Sequence, residues 1–374
     1  MNANVVLCDK NFNSICMLNN YKSLIWNTRF CDIGDFEIYL PVQDNDILEK
    51  AKLFAYVYVN NKYNVRIITS VKIEFNSNDG YMMIISGHSL SYLLKNRIIW
   101  NQTNFQNTNV NDVIIDIVKN NSVVSYCSAG RELFSNYIEN YYSSDDITAQ
   151  YYGESLYDTI KGLCEQHMLG FDVIRMYSYT DNKDILSFEL NGMINRTKGT
   201  NLLYYQPIVF DTRLNNILTF SIDFNGESFK NVELITGEGD GVSKLRKTVN
   251  NSTYTKLDRC ELYVNAQDLS QNSGTQQAIT QSEYEAMLEQ RGLKNLESYK
   301  ISKNLECTID TNYYKYKSDY NVGDIVTVVT PFLSQNLLIK EVTENWNENG
   351  YSVELTLDPN YQNQGGNLNG WFSY

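Results

Sequence analysis

Between Lys62 and Phe75 the chain alternates almost without a break. Tyr63, Val65, Ile67, Val71, Ile73 and Phe75 hold the odd positions, and Lys62, Asn64, Arg66, Ser70, Lys72 and Glu74 the even ones. Successive side chains of a strand point to opposite faces, whereas a helix would spread this set around its whole circumference. The pattern therefore predicts one long strand with a buried face. Asn78-Asp79-Gly80 follows with residues that tolerate a left-handed turn, and Tyr81–Ile85 returns as the hairpin partner. Further strands are expected near residues 21–30, 36–40 and 53–59, with Pro41 closing the second because proline cannot donate to a ladder.

The middle of the chain changes period. Val110, Val113, Ile114, Ile117 and Val118 lie on one helix face, with Thr108 or Asn109 as N-cap. A second helix is expected from about Glu154 to Met168 on Leu156, Ile160, Leu163 and Cys164, with Gly170 as its left-handed stop. Phe171–Ile174 and Leu186–Leu190 read as a hairpin around residues 181–184. Strands return near residues 208–222, 231–236 and 256–264. A polar stretch from Gln267 to Gln277 leads to a helix opened by Ser282 with Glu285 as a capping box and ended by Arg291-Gly292. The finish is a meander over 324–329, 337–343 and 351–358 with Asn349-Gly350 as a type I′ turn, and the Asn/Gly/Gln-rich stretch 362–370 reads as a mobile tail.

Composition excludes several classes of function. The 374 residues amount to two or three domains and carry 31 Lys+Arg against 44 Asp+Glu, a net charge of −13. A face that grips phosphate backbones or anionic lipid would be basic, so neither partner fits. The longest apolar run, Leu53–Val59, falls far short of the about 20 residues that span a bilayer, and Met1-Asn2-Ala3-Asn4 does not open a signal peptide. Seven scattered cysteines without a C-x-x-C pair fit a reducing compartment with buried thiols. The 29 tyrosines alternate largely within strands, as at Tyr63 and Tyr351, which places them in the core.

Candidate chemistry is sparse. Gly87-His88-Ser89 lies between a strand and a helix, as a nucleophile elbow does, but Ser91 stands where the second glycine belongs and only His167 remains as a base. Cys164 and His167 are spaced to meet on one helix, on a face where a core thiol and a satisfied imidazole are commoner. Gly237-Glu238-Gly239-Asp240-Gly241 lacks the lysine and hydroxyl of a phosphate loop, so it reads as a turn, with weak Ca²⁺ binding a distant second. Asp145-Asp146 reads as solvated loop charge. No catalytic, cofactor or metal site stands out.

A set of phrases resembles a known family. Trp26 with Arg29-Phe30, followed by Gly34-Asp35-Phe36-Glu37-Ile38-Tyr39-Leu40-Pro41, is similar to the opening strand pair of phage tail hub proteins of the siphovirus tail-associated type. Gly87 and Leu90 with Arg97, Asn231-Val232 with Gly237 and Gly239, Arg291-Gly292 with Leu296, and Tyr320-Asn321-Val322-Gly323-Asp324 resemble its later blocks in order. The resemblance spans about residues 20–358 and implies an α+β, mainly β fold, as in baseplate hubs. Two β-barrel-like domains, 1–99 and 205–358 with a helical insertion near 280–292, would flank an α/β part, 100–204, ahead of the tail 359–374.

The function implied is a structural tail-tip or baseplate hub. A homotrimeric ring would join the sixfold tail tube or distal tail ring to the threefold tip around the DNA channel. Partners would be the distal tail or tube ring, the tape measure protein and tip, spike or receptor-binding proteins. Neither sequence-specific nucleic-acid binding nor membrane insertion by this chain is expected. The protein would be made in the host cytoplasm and end in the virion. Family members that are enzymes carry an added C-terminal hydrolase domain, and too few residues follow the last strand here for one. The rival readings are a carbohydrate-binding adhesion module with exposed Tyr and Trp and, last, an esterase on Ser89 and His167.

Overall fold

The computed structural model describes residues 3–42, 46–78, 80–141, 143–197, 206–241, 244–271 and 279–358. The expected tail, 359–374, and much of the polar stretch after Gln271 lie outside them. In chain order the elements begin with β1 (Val5–Cys8), β2 (Ser14–Leu18), β3 (Ser23–Arg29), β4 (Asp35–Pro41), α1 (Asp46–Lys50), β5 (Tyr56–Val59), β6 (Val65–Asn76) and β7 (Gly80–Ser89). Next come β8 (Thr103–Asn109), α2 (Val110–Ser122), β9 (Asn136–Glu139), β10 (Asp146–Tyr151), α3 (Leu156–His167), β11 (Leu169–Ser178), β12 (Lys183–Gly192) and β13 (Ile194–Asn195). The rest are β14 (Val209–Asp211), β15 (Ile217–Asn225), β16 (Val232–Thr236), β17 (Arg246–Val249), β18 (Glu261–Asn265), α4 (Gln281–Glu297), β19 (Ser302–Ile309), β20 (Asp324–Val329), β21 (Ser334–Asn347) and β22 (Gly350–Asp358). The fold is α+β and mainly β, as the sequence implies.

Two compact units share the chain: residues 1–92, 170–223 and 303–374 form one, and 93–169 with 224–302 the other. The first unit is built on a sheet of 14 strands whose main path runs β15-β19-β22-β21-β3-β4-β7-β6-β5-β1-β2, with β20 beside β21 and short β13 and β14 beside β20. The join in mid-path is antiparallel, β3 on β21, with Trp26 opposite Glu344 and Leu24 opposite Trp346. Two cores line this path. Leu24, Trp26, Phe36, Ile38, Leu40, Val57, Ile85 and Trp346 pack in one. Phe210, Cys307, Ile309, Tyr320, Val326, Val342, Val353 and Leu355 pack in the other. In the second unit α4 lies on a small sheet with β16 between β17 and β18, around Ile235, Leu269, Tyr284 and Leu288.

Several local expectations are corrected. The hairpin of β6 and β7 forms, but its outer half is not buried: Ile73, Phe75 and Tyr81 are exposed. Pairing slips between Ile68 and Ser70, and beyond that bulge the described residues place no second strand beside β6. Tyr63, expected in the core, is exposed too. The α3 helix ends on Met168, whose φ of 55° takes the left-handed position assigned to Gly170. Gly170 instead enters β11, where the Phe30 ring occupies the place of a Cβ. Residues 208–222 do not make one strand, because the Asp211 carboxylate accepts from Arg213 N–H in a tight turn that separates β14 from β15. Residues 256–258 form a turn of 3-10 helix before β18. The α4 capping box is Thr280 with Glu283, two residues earlier than Ser282 with Glu285, and the helix continues past Gly292 to Glu297. At the last hairpin Asn347 pairs with Gly350, so Glu348 and Asn349 form the turn; only Gly350 is left-handed, with φ 114°, which excludes type I′. The Asn109 cap on α2 is as expected.

Candidate functional site

The residues singled out for chemistry are each occupied structurally. Ser89 Oγ accepts from Gly34 N–H at 3.0 Å, and the His88 ring stacks on Tyr92 at 4.9 Å. His167 belongs to the other unit, where its Nδ1 meets Asp145 Oδ2 at 2.8 Å. Asp145 is therefore paired rather than a solvated loop charge, and its carbonyl also accepts from Val110 N–H at the head of α2. Cys164 is fully buried. In the glycine-rich loop, Tyr284 OH fills the space a Cβ would take at Gly237, and Glu238 N–H donates to that hydroxyl at 2.8 Å. The loop thus clamps α4. Among the described residues no three His, Cys, Asp or Glu side chains gather as a metal site.

The residues that carry the family resemblance collect where backbones approach closely. Trp26 is fully buried with the Arg66 guanidinium stacked 4.3 Å above its ring. Arg66 donates to Asp35 O at 2.6 Å and to Thr28 Oγ1 at 3.1 Å. A Cβ on Gly34 would collide with Asn27 O and with Arg66, and one on Gly87 with Ile67 O and the Phe36 ring. Burial pulls the guanidinium down to about 10, with Asp172 and Asp35 opposing, and pushes Asp172 up against the hydrogen bond from Ser91. A recess beside this group, lined by Asp32, Asn64, Ser89 and Asp172, leaves about 50 Å³ for water-sized occupants.

Gly323, with φ 89°, lies against Phe30, and the next residue, Asp324, pairs in the interior with Arg196 at 2.5 Å. Asp324 also accepts from Asn321 N–H, and burial lifts its carboxyl to about 6. Pro41 ends β4, and Leu90 is buried just after β7. Arg97 donates to Arg131 O, Gly292 lets α4 approach Val249, and Gly239 is left-handed with φ 109°. At Trp26, Gly34, Gly87, Gly292, Gly323 and Asp324 the residue is fitted to a side chain or backbone from another part of the fold.

What the first unit does present is strand edge. β15 ends the sheet path, and its even positions Leu218, Phe220, Ile222 and Phe224 are apolar against Thr219, Ser221 and Asp223. Leu218, Ile222 and Phe224 are exposed, the last at 54%. The outer half of β6 carries the exposed Ile73 and Phe75. Unpaired edge N–H and C=O groups flanked by apolar side chains are a template for adding another strand. Sequence reasoning took the outer half of β6 as buried and β15 as part of one strand over 208–222, because alternation marks a face that is covered without saying by what.

The model of the Siphovirus ReqiPepy6 Gp37-like protein family matches residues 4–357. No curated protein matches the chain. Among solved structures it is similar to the 43 kDa tail protein of prophage MuSo2 from Shewanella oneidensis, with TM-score 0.54 and 13% identity over 96% of this chain and 98% of that one. It is also similar to the tail protein from Neisseria meningitidis MC58, with TM-score 0.55 and 12% identity over 96% of each chain. Trp26, Gly34, Phe36, Gly87, Gly323 and Asp324 all lie within the matched span, which reaches from β1 almost to the end of β22, and the chain belongs to the siphovirus Gp37-like family, with the fold of phage tail proteins.

Proposed function

We propose that the chain is a structural hub of a phage tail tip or baseplate, working as a homotrimer and without a catalytic site. The observation that carries this reading is the likeness to tail proteins over almost the whole length of both chains. Two strand-rich cores per chain give a trimer six quasi-equivalent parts, which suits a ring that passes from the sixfold tail tube or distal tail ring to a threefold tip. A net charge of −13 per copy keeps such a ring from gripping the DNA that crosses it. The tape measure protein and tip, spike or receptor-binding proteins are its further partners, and the virion tail is its place. No helix among the described residues is long and apolar enough to cross a membrane. The experiment is light scattering of the purified chain at high concentration, with gold-labelled antibody on the particles that contain it. Three copies per assembly and label at the tail tip support the hub; a stable monomer and label elsewhere refute it.

A further inference from the structure

The sheet path of the first unit repeats itself once. β5, β6, β7, β4 and β3 are neighbours in that order, and so are β20, β21, β22, β19 and β15. The two long hairpins match step for step. Pairing slips between Ile68 and Ser70 on β6 and between Ile339 and Glu341 on β21. Beyond the slip, Ser70↔Ser86 to Asn76↔Gly80 covers as many pairs as Glu341↔Thr356 to Asn347↔Gly350. One step before the end of each ladder sits an aromatic pair, Phe75 with Tyr81 at 4.9 Å and Trp346 with Tyr351 at 5.0 Å. Before the slip each hairpin has its own neighbour, β5 for β6 and β20 for β21.

After the slip the two halves differ. Glu341–Asn347 of β21 is covered by β3, and Trp346 is only 6% exposed. The matching stretch of β6, Ser70 to Phe75, has no second strand among the described residues, and Phe75 is 66% exposed. What would cover it is a strand that stands in its repeat where β3 stands in the other. That strand is β15, at the end of the path and exposed. The chain thus contains one finished joint and both halves of a second.

We infer that β15 of one copy adds antiparallel to residues 70–75 of β6 in the next copy, in the register that β3 takes on β21. The inference rests on the homotrimer proposed above and names its contact. The register follows from the finished joint. β19 lies beside β22 as β4 lies beside β7, which puts Thr308 in the place of Tyr39, the partner of Ser23. Thr219 Oγ1 donates to Thr308 Oγ1 at 2.7 Å, so Thr219 stands for Ser23, Phe220 for Leu24 and Ile222 for Trp26. Transferred to the next copy, Phe220 faces Phe75, Ile222 faces Ile73, and Asp223 faces Lys72. The apolar side chains of both edges then share one face, and the single charged pair is of opposite sign. The contact is head-to-tail, so three copies close a ring with three joints inside chains and three between them.

Cysteine pairs test this in the full chain. Ile73→Cys and Ile222→Cys, each alone, should give no cross-linked chains above the wild-type background of seven free cysteines. Mixed, they should give covalent pairs, and the double variant should give a ladder that stops at three. Cross-linking of either single variant with itself would show a two-fold contact and overturn the inference. So would a ladder that runs past three, or cross-linking of Ile222→Cys with Met17→Cys on β2, the other end of the path. Trimers by light scattering without the 73–222 cross-link would leave the hub standing and remove this joint, whereas a monomer at high concentration would remove both. As a second readout, Lys72→Asp should weaken the trimer and Asp223→Lys in the same chain should restore it, with the melting curve of the monomer unchanged.

Discussion

Gly350 and Glu233 show how much one residue can carry here for opposite reasons. Gly350 has φ 114° and open space around the position of a Cβ, so its cost to substitution lies in the backbone alone. Gly350→Val should therefore destabilise the protein by roughly 1–3 kcal/mol, and thermal unfolding would record it. Glu233 is fully buried in β16, with Oε1 accepting from Asn295 at 2.9 Å. Burial lifts its carboxyl from 4.5 to about 7, against the pull of Asn295 and Arg291. Because the folded value is raised, the stability tied to the protonated form is complete below about pH 4.5 and is lost as pH rises through about 7. Relative to Glu233→Gln, the wild type should lose on the order of 2 kcal/mol between mildly acidic and mildly alkaline buffer, measured by urea unfolding. A flat difference across that range would contradict it. The turn signal at Gly350 was legible in the sequence; the buried carboxylate was not, because Val232-Glu233-Leu234 reads as ordinary alternation.

Among the elements, α4 separates what local sequence decides from what packing decides. Thr280 accepts from Glu283 N–H and the Glu283 carboxylate accepts from Thr280 N–H, which is the reciprocal cap. Ser282 with Glu285 has the same spacing, but both residues lie inside the helix that Thr280 opens. Thr280→Ala should cost about 1 kcal/mol and Ser282→Ala much less, as the shift of a denaturation midpoint would show. Arg291-Gly292 has the composition of a helix end, yet the helix continues to Glu297, and Gly292 lies against Val249, where a Cβ would not fit. At α3 the reverse holds: Met168 adopts the left-handed stop and Gly170 is kept small by Phe30. In both helices a glycine that sequence rules assign to the backbone is there for a neighbouring side chain. The alternations of β6, β7 and β22 were legible as strands, but which strands end exposed was not, since β6 and β15 alternate as cleanly as buried strands do.

For the whole molecule, charge and edges act against each other. Each copy carries −13, so the trimer proposed above would bring together three times that charge, and self-repulsion would oppose its assembly. The inferred edge pairing, with apolar burial at Ile73, Phe75, Phe220 and Ile222, would oppose the repulsion and depend little on salt. Raising the ionic strength should therefore strengthen trimer formation, with the opposite trend expected if rim ion pairs dominated; sedimentation at low and high salt would decide.

Taken alone, the sequence determined the class of the protein and the order of its parts. The period-2 runs at β6, β7 and β22, the 3.6-period faces of α2 and α3 and the Asn109 cap depend on neighbours within a few residues, so local chemistry specifies them. The tertiary structure decided everything that depends on distant partners. Only pairing shows that β3 lies on β21, some 300 residues away, and that β6 reaches past its last neighbour. Burial follows from such pairings, and alternation cannot report it: the same apolar stripe serves a core when the chain supplies the cover and an interface when another chain must.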